Sequence, residues 1–288
     1  MSKRTLDLVG DLIRRERNRL GTRWRKAAPD AQALIVLAVL RHDQRLSEMA
    51  GGSQVSASTV LRWVLEVLRL LAARAPRLDR ALNKDRQAGR RRRPAGRHSG
   101  PHPLPYRGGC SRFSPMTSVF PRWPAATRSP PPPCAAGYWM NRKNYSGKHK
   151  SLGLLFLALT DEKGNLIWIS SARPGRSSEI TTARHDKITA HLGEAGLGAL
   201  ADLGFVGLDD DPDDHPVIIT GRKAARNHRL TDAEKKANRL LSRERAAVEH
   251  GFANLKSWRC LTKIRMNTRH ATTLLRALLV LVNTEVQR

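Results

Sequence analysis

Arg245, Glu249 and Lys256 follow one another at intervals of four and seven residues. On an α-helix that spacing turns all three to one side, within about 40° of one another around the axis. A carboxylate between two cations suits phosphate chemistry. The acid holds a divalent cation, Mg²⁺ or Mn²⁺, and the bases hold the substrate backbone. Asp202 is a second candidate acid, because it ends the short apolar run Leu197 to Leu203, which reads as a buried strand. Asp202 and Glu249 as metal ligands, with Arg245 and Lys256 on phosphate, describe a metal-dependent site acting on nucleic acid. Alone, the helical triplet has a plainer reading. Arg245 and Glu249 make an ordinary i, i+4 pair on a solvated helix, contributing roughly 0.2–0.5 kcal/mol.

The elements that must position these residues are legible. Thr231 can cap the helix, Asp232 and Glu234 suit its first turn, and Leu240, Val248, Phe252 and Leu255 give it an apolar stripe. Further upstream, Leu152 to Thr160 reads as a continuous strand, Asp161 to Gly164 as a turn and Leu166 to Ser171 as the second arm of a hairpin. A helix is predicted from Ser178 to about Ala195, then the strand ending at Asp202, another strand Val217 to Thr220, and a last apolar helix Ala271 to Val286. This order predicts an α/β domain with a mixed sheet. The aspartates from Asp209 to Asp214 lack the ligand spacing and glycine of a calcium loop. His149, His185 and His250 have no second His or Cys at metal-ligand spacing, which favours surface or core imidazole.

Charge narrows the partner. The chain carries 52 Lys plus Arg against 25 Asp plus Glu, a net +27 with pI near 11.4, so a polyanion is expected. A membrane is not. The apolar runs Ala33 to Leu40 and Ala277 to Val282 are too short to span a bilayer, and Met1-Ser2-Lys3-Arg4 opens neither a signal peptide nor a myristoylation motif. Cys110, Cys134 and Cys260 are odd in number and widely spaced, so they give neither a disulfide framework nor a zinc knuckle, and a reducing cytoplasm is expected.

Residues 29 to 75 read as three helices: Ala31 to His42, Arg45 to Ala50, and Ser56 to Arg74, with Gly51-Gly52 separating the last two. That is a helix-turn-helix spacing. Ser56, Ser58, Thr59 and Arg62 cluster at the start of the third helix, where a recognition helix meets base edges and phosphates, and Trp63 packs on a neighbouring helix or touches sugar. The alternative is a small helical bundle whose Ser56 or Ser58 is an ordinary cap.

Between Asp85 and Asp161 there is no acidic residue, and most of the chain's prolines fall between Pro94 and Pro133. With no apolar periodicity, such a stretch cannot bury enough surface to offset its conformational entropy and should be disordered. Two readings remain open: a basic linker that tracks DNA, or a segment whose coding frame was disturbed and later restored. The predicted organisation is a helical helix-turn-helix domain over residues 1–82, a basic Pro/Arg-rich segment over 83–143, and the α/β domain over 144–288.

With these residues in view, the chain resembles bacterial insertion-sequence transposases of the DDE superfamily, in the branch related to Harbinger-type nucleases. His42-Asp43-Gln44-Arg45-Leu46, Met49-Ala50-Gly51-Gly52 and Val55 to Val60 are similar to that group's helix-turn-helix. Asn144 to Lys150 resembles the segment leading into its second core strand; Pro174 to Ser177 and Leu200 to Gly207 resemble later landmarks. The family signature Tyr-x2-Arg-x3-Glu-x6-Lys falls on Ser242, Arg245, Glu249 and Lys256, with only the tyrosine replaced. The resemblance covers roughly residues 30 to 82 and 144 to 286. It implies an RNase H-like fold, Asp202 and Glu249 as the second and third catalytic carboxylates, and Lys148 among the DNA contacts. The first carboxylate, normally Asp-Gly-Thr on the opening strand, has no counterpart, and its place falls in the acid-free stretch. Asp79 and Asp85, the nearest upstream acids, lie on or just after a helix.

The expected function is therefore that of a DNA transposase carrying out metal-dependent cleavage and strand transfer, impaired by loss of the first acid. The alternative is a non-catalytic DNA binder derived from one. A general RNA-binding protein is a third reading. Double-stranded DNA of the element's terminal repeats is the expected partner, a homodimer the expected assembly, and the nucleoid within the cytoplasm the expected location.

Overall fold

The structure is a computed structural model that describes residues 2–21, 27–91, 144–146, 151–209, 217–224, 229–261 and 266–286. Most of the acid-free stretch thus lies outside the described residues, as do Lys148, His149, Cys110 and Cys134. The helical first part contains α1 (Lys3–Leu20), α2 (Pro29–His42), α3 (Leu46–Gly52), α4 (Ala57–Ala72) and α5 (Leu78–Arg91). Short strands follow: β1 (Tyr145–Ser146), β2 (Ser151–Leu152), β3 (Leu154–Leu155), β4 (Ala158–Thr160), β5 (Leu166–Ile169) and β6 (Arg173–Pro174). Then come α6 (Glu179–His185), α7 (Ile188–Ala195), β7 (Ala199–Ala201), β8 (Ile218–Thr220), α8 (Asp232–Lys256) and α9 (Thr268–Val286). The chain divides into two compact units, one comprising residues 1–75, 120–154 and 252–288, the other 76–119 and 155–251.

In the first unit α2 and α3 pack on α4, and α9 lies along α4. The face of α4 that makes the core is Val60, Trp63, Val64, Val67, Leu68 and Leu71, so Trp63 is a packing residue, 5% exposed. Helix α1 is an element the sequence reading does not contain. Its Ser2 hydroxyl accepts a hydrogen bond from the Thr5 amide, and Val9, Leu12 and Ile13 are buried, each contributing roughly 1.5–3 kcal/mol. Buried Gln32 joins three helices: its Oε1 accepts from Arg17 at 2.7 Å and its Nε2 donates to Glu66 at 3.1 Å. Gly51 and Gly52 sit in the last turn of α3 rather than after it, and the break falls at Ser53 to Ser56, with Gln54 left-handed at φ 53°. Near the C-terminal end of α2, Arg41 stacks 5.1 Å over the buried Trp258 ring and donates to Ser257 Oγ at 2.7 Å. Burial, reinforced by Asp43, pushes the nearby Cys260 thiol up to about 12, so it stays protonated near neutral pH.

The second unit is built around two strand pairs. β4 and β5 are antiparallel, with Leu159 opposite Trp168, while β7 and β8 are parallel, with Leu200 opposite Ile219. Leu157, Leu159, Trp168, Ala199, Ala201 and Ile218 from this region meet Leu78 and Leu82 of α5, Ala183 of α6, and Ile188 and Leu192 of α7 in one core. Turn chemistry closes the hairpin where Asp161 and Gly164 predict it. The Asp161 carboxylate accepts from the amides of Lys163 and Asn165, and Gly164 takes φ 81°.

Among the described residues no ladder joins the antiparallel pair to the parallel one, so the predicted mixed sheet is represented there by separate pairs. Three expectations need correction. The predicted strand Leu152 to Thr160 is three short pieces. Leu157 instead exchanges hydrogen bonds with Ser170, its amide donating to the hydroxyl and its carbonyl accepting from the amide, both at 2.8 Å. The predicted helix Ser178 to Ala195 is two helices, because Lys187 takes a left-handed φ of 50° that an α-helix cannot continue through. Leu240 is no part of a buried stripe; it is 61% exposed.

Candidate functional site

Asp202 is delivered by β7. The strand ends at Ala201, and Asp202, still extended at φ −69° and ψ 162°, caps the short 3₁₀ turn Leu203–Phe205. Its carboxylate accepts from the Leu203 amide at 2.6 Å, so at least one lone pair is committed to its own backbone. Helix α6 braces this turn. The Glu179 carboxyl lies over Gly204, 3.5 to 3.7 Å from where a Cβ would stand, and Arg184 donates to the Gly207 carbonyl at 2.8 Å.

Arg245, Glu249 and Lys256 all fall on α8, as their spacing predicts. Thr231 and Glu234 start the helix reciprocally. The Thr231 amide donates to Glu234 Oε2 at 2.9 Å, and the Glu234 amide donates to Thr231 Oγ1 at 3.3 Å. The bond from the Thr231 amide is the first cause, with the Thr231 hydroxyl and Arg222 behind it, holding the Glu234 carboxyl below the usual carboxylate range. Its contribution to the helix start is present above the unfolded carboxyl pKa and is lost as pH falls through the lower folded value.

Two contacts within the second unit fix α8. The Asn238 side chain clamps the backbone just after β8: Oδ1 accepts from the Arg222 amide and Nδ2 donates to the Arg222 carbonyl, both at 2.9 Å. Gly221 is pressed between Asn238 and Leu203, where a Cβ would come 2.8 Å from Asn238 Oδ1 and 3.2 Å from Leu203 Cδ2. Gly221 therefore stands between Asn238 of α8 and Leu203 of the turn following Asp202. Glu249 lies about 16 Å further along the helix. There Gly251 passes the hairpin turn so closely that a Cβ would overlap the Gly164 carbonyl oxygen and come 3.2 Å from Leu166 Cγ. Glu249 itself is exposed, and the Arg245 side chain is outside the described set. Lys256 is exposed at the helix end and belongs to the first unit.

Replacing Asn238 by Ala should release the Arg222 backbone, at a cost of about 1–3 kcal/mol for two unmade hydrogen bonds. Amide exchange checks this: the Arg222 N–H should lose protection while the Leu159 and Trp168 amides keep theirs.

Among the described residues no group of three or more His, Cys, Asp or Glu side chains is placed to hold a metal ion. Among the described residues the donors do not fit a two-ion centre, and Asp202 and Glu249 stand on separate supports. Sequence reading missed Glu179 and Asn238. The first carried no signal, and the second could have been suspected only as an amide on a helix otherwise rich in cations.

The residues expected at a DNA interface are brought together at the start of α4. Ser56 Oγ lies 2.9 Å from both Ser58 Oγ and Thr59 Oγ1 and accepts from the Thr59 amide, and Arg62 donates to Thr59 Oγ1 at 3.2 Å. Ser56 is thus the helix cap, and Ser58 and Arg62 beside it are exposed. No helix among the described residues is long and apolar enough to cross a membrane.

The family described as DDE superfamily endonuclease matches this chain over residues 132–283. No curated protein and no solved structure matches it.

Proposed function

The chain belongs to the DDE superfamily endonucleases, and from that membership we propose that it is a DNA-binding transposase of an insertion sequence whose cleavage is impaired. One observation carries the impairment. A family of metal-dependent nucleases needs converging carboxylates, yet residues 86–160 contain no acid and the described residues hold no three-ligand group. From the family resemblance, Asp202 and Glu249 are the acids that would hold Mg²⁺ or Mn²⁺, with Arg245 and Lys256 toward phosphate. Such an ion, when bound, supplies Lewis-acid stabilisation of charge on a phosphoryl oxygen. The chain's own residues do the rest: Asn238 and Gly251 hold α8, and the Asp202 turn is set by its cap.

The separation of the two strand pairs supports the same reading. A strand inserted between an antiparallel pair and a parallel pair would make one mixed, RNase H-like sheet. The segment that should provide it is the acid-free one, and among the described residues no third strand pairs with the β4–β5 hairpin.

DNA is engaged through Ser56, Ser58, Thr59 and Arg62 of a helix-turn-helix formed by α2 to α4, with Lys148 as a further contact. Terminal repeats of the element are the target, a second copy of the chain the partner in assembly, and the nucleoid the location. A non-catalytic DNA binder is the second reading, favoured by the same missing acid. Gel shifts with duplex DNA, single-stranded DNA and RNA test the binding claim. Duplex should be preferred, and Arg62→Ala should weaken binding about tenfold, equivalent to about 1.4 kcal/mol. Equal affinity for all three nucleic acids would leave a general RNA-binding protein as the better description.

A further inference from the structure

We propose that the outward face of α8 formed by Lys236, Arg239, Leu240 and Arg243 is a second DNA-contacting surface, seating the phosphate backbone of a duplex segment other than the one at Asp202 and Glu249. The inference rests on the DNA-binding reading. It begins from Leu240, 61% exposed where a buried stripe was expected. The four residues sit at i, i+3, i+4 and i+7, within about 100° of the helix circumference, and Lys236, Arg239 and Arg243 are cations open to solvent. That pattern usually marks the face a helix buries. Here it presents three cations around one leucine.

The described acids nearby are engaged elsewhere. Asp232 pairs with Lys235 at 3.0 Å, Glu234 with Arg222 at 3.1 Å, and the sequence from Lys235 to Arg243 contains no acid. Lys236, Arg239 and Arg243 have no ion-pair partner among the described residues. Cations gathered on one helix face suit a nucleic-acid backbone, because lysine and arginine contacts to phosphate oxygens fix its position. From Lys236 to Arg243 the helix rises about 10 Å, the length of about three phosphates along one strand. The face is also pre-ordered, because Asn238 and Glu234, on the other side of the helix, tie α8 to Arg222. The stripe lies about 150° around the helix from Arg245 and Glu249. One straight duplex cannot lie against both sides.

The test uses the full chain with Lys236→Gln, Arg239→Gln and Arg243→Gln combined. All three side chains are exposed, so an unchanged circular dichroism spectrum and melting temperature are expected. The slope of log affinity against log salt should fall in magnitude by about 2.7, at about 0.9 for each phosphate no longer neutralised. Protein already held on an immobilised duplex should lose its capture of a second, labelled duplex. Leu240→Ala should weaken that capture without changing the slope, and Lys235→Gln, whose ammonium is already paired, should change the slope by less than about 0.9. A triple variant with unchanged slope and capture overturns the surface while leaving DNA binding intact. Failure of the unsubstituted chain to bind DNA at all would overturn the functional reading and this surface with it.

Discussion

Raising monovalent salt from about 50 to about 200 mM is expected to weaken duplex binding by about 10³-fold, on the basis of about six phosphate contacts. The loss follows from counterion release. Each phosphate neutralised by Lys or Arg returns a condensed cation to solution, and the return becomes less favourable as bulk salt rises. The chain has the cations to reach that number. Arg62 and Arg69 stand exposed along α4, Lys236, Arg239, Arg243 and Lys256 along α8, and the whole molecule carries +27. Fluorescence anisotropy at several salt concentrations measures the slope. A change of less than tenfold across that range would mean the net charge is distributed without forming a binding surface.

Replacing Gly251 by Ala should destabilise the protein by about 1–3 kcal/mol, the range for overpacking a close contact. Two effects oppose each other. Alanine is the better helix former by about 1 kcal/mol, which alone would make the substitution stabilising. Against it stands the overlap with the Gly164 carbonyl oxygen. The obstacle is backbone, and Gly164 is held at φ 81° in a turn already fixed by Asp161, so no side chain can swing away. The helix must move instead, and Glu249, two residues earlier, moves with it. Gly193 supplies the control, since it lies in α7 with nothing within 4 Å of where a Cβ would stand, and Gly193→Ala should stabilise by about 0.5–1 kcal/mol. Thermal melts of both variants decide the matter. Gly251→Ala as stable as Gly193→Ala would show that α8 does not press on the hairpin turn.

How far the sequence could be read depended on the range of the interaction. The start of α8 was legible because Thr231, Asp232 and Glu234 act within one turn, and the hairpin because Asp161 and Gly164 mark their own turn. The Asp202 strand end was equally local. Leu240 misled because a 3.6-residue period was extended over a helix whose buried side is set by different neighbours along its length. Phe252 and Leu255 are buried, whereas Leu240 stands out in solvent. The left-handed Lys187 that splits α6 from α7 has no glycine or asparagine to announce it. Helix α1 was hidden by its charge, although Ser2, Thr5, Val9, Leu12 and Ile13 spell a cap and a stripe. The site was legible as residue types and unreadable as geometry. Gly251 against Gly164, Asn238 against Arg222 and Glu179 over Gly204 are encounters between distant segments, and local pattern says nothing of them.

Nicking of supercoiled plasmid in Mg²⁺ and in Mn²⁺, at protein concentrations where the DNA is fully bound, is the most direct test of an incomplete catalytic centre. An incomplete centre predicts bound plasmid and nicking no faster than in the metal-free control. Metal-dependent nicking that multiplies the background rate and disappears in Asp202→Ala would contradict it, and would mean that some other residue supplies the missing acid.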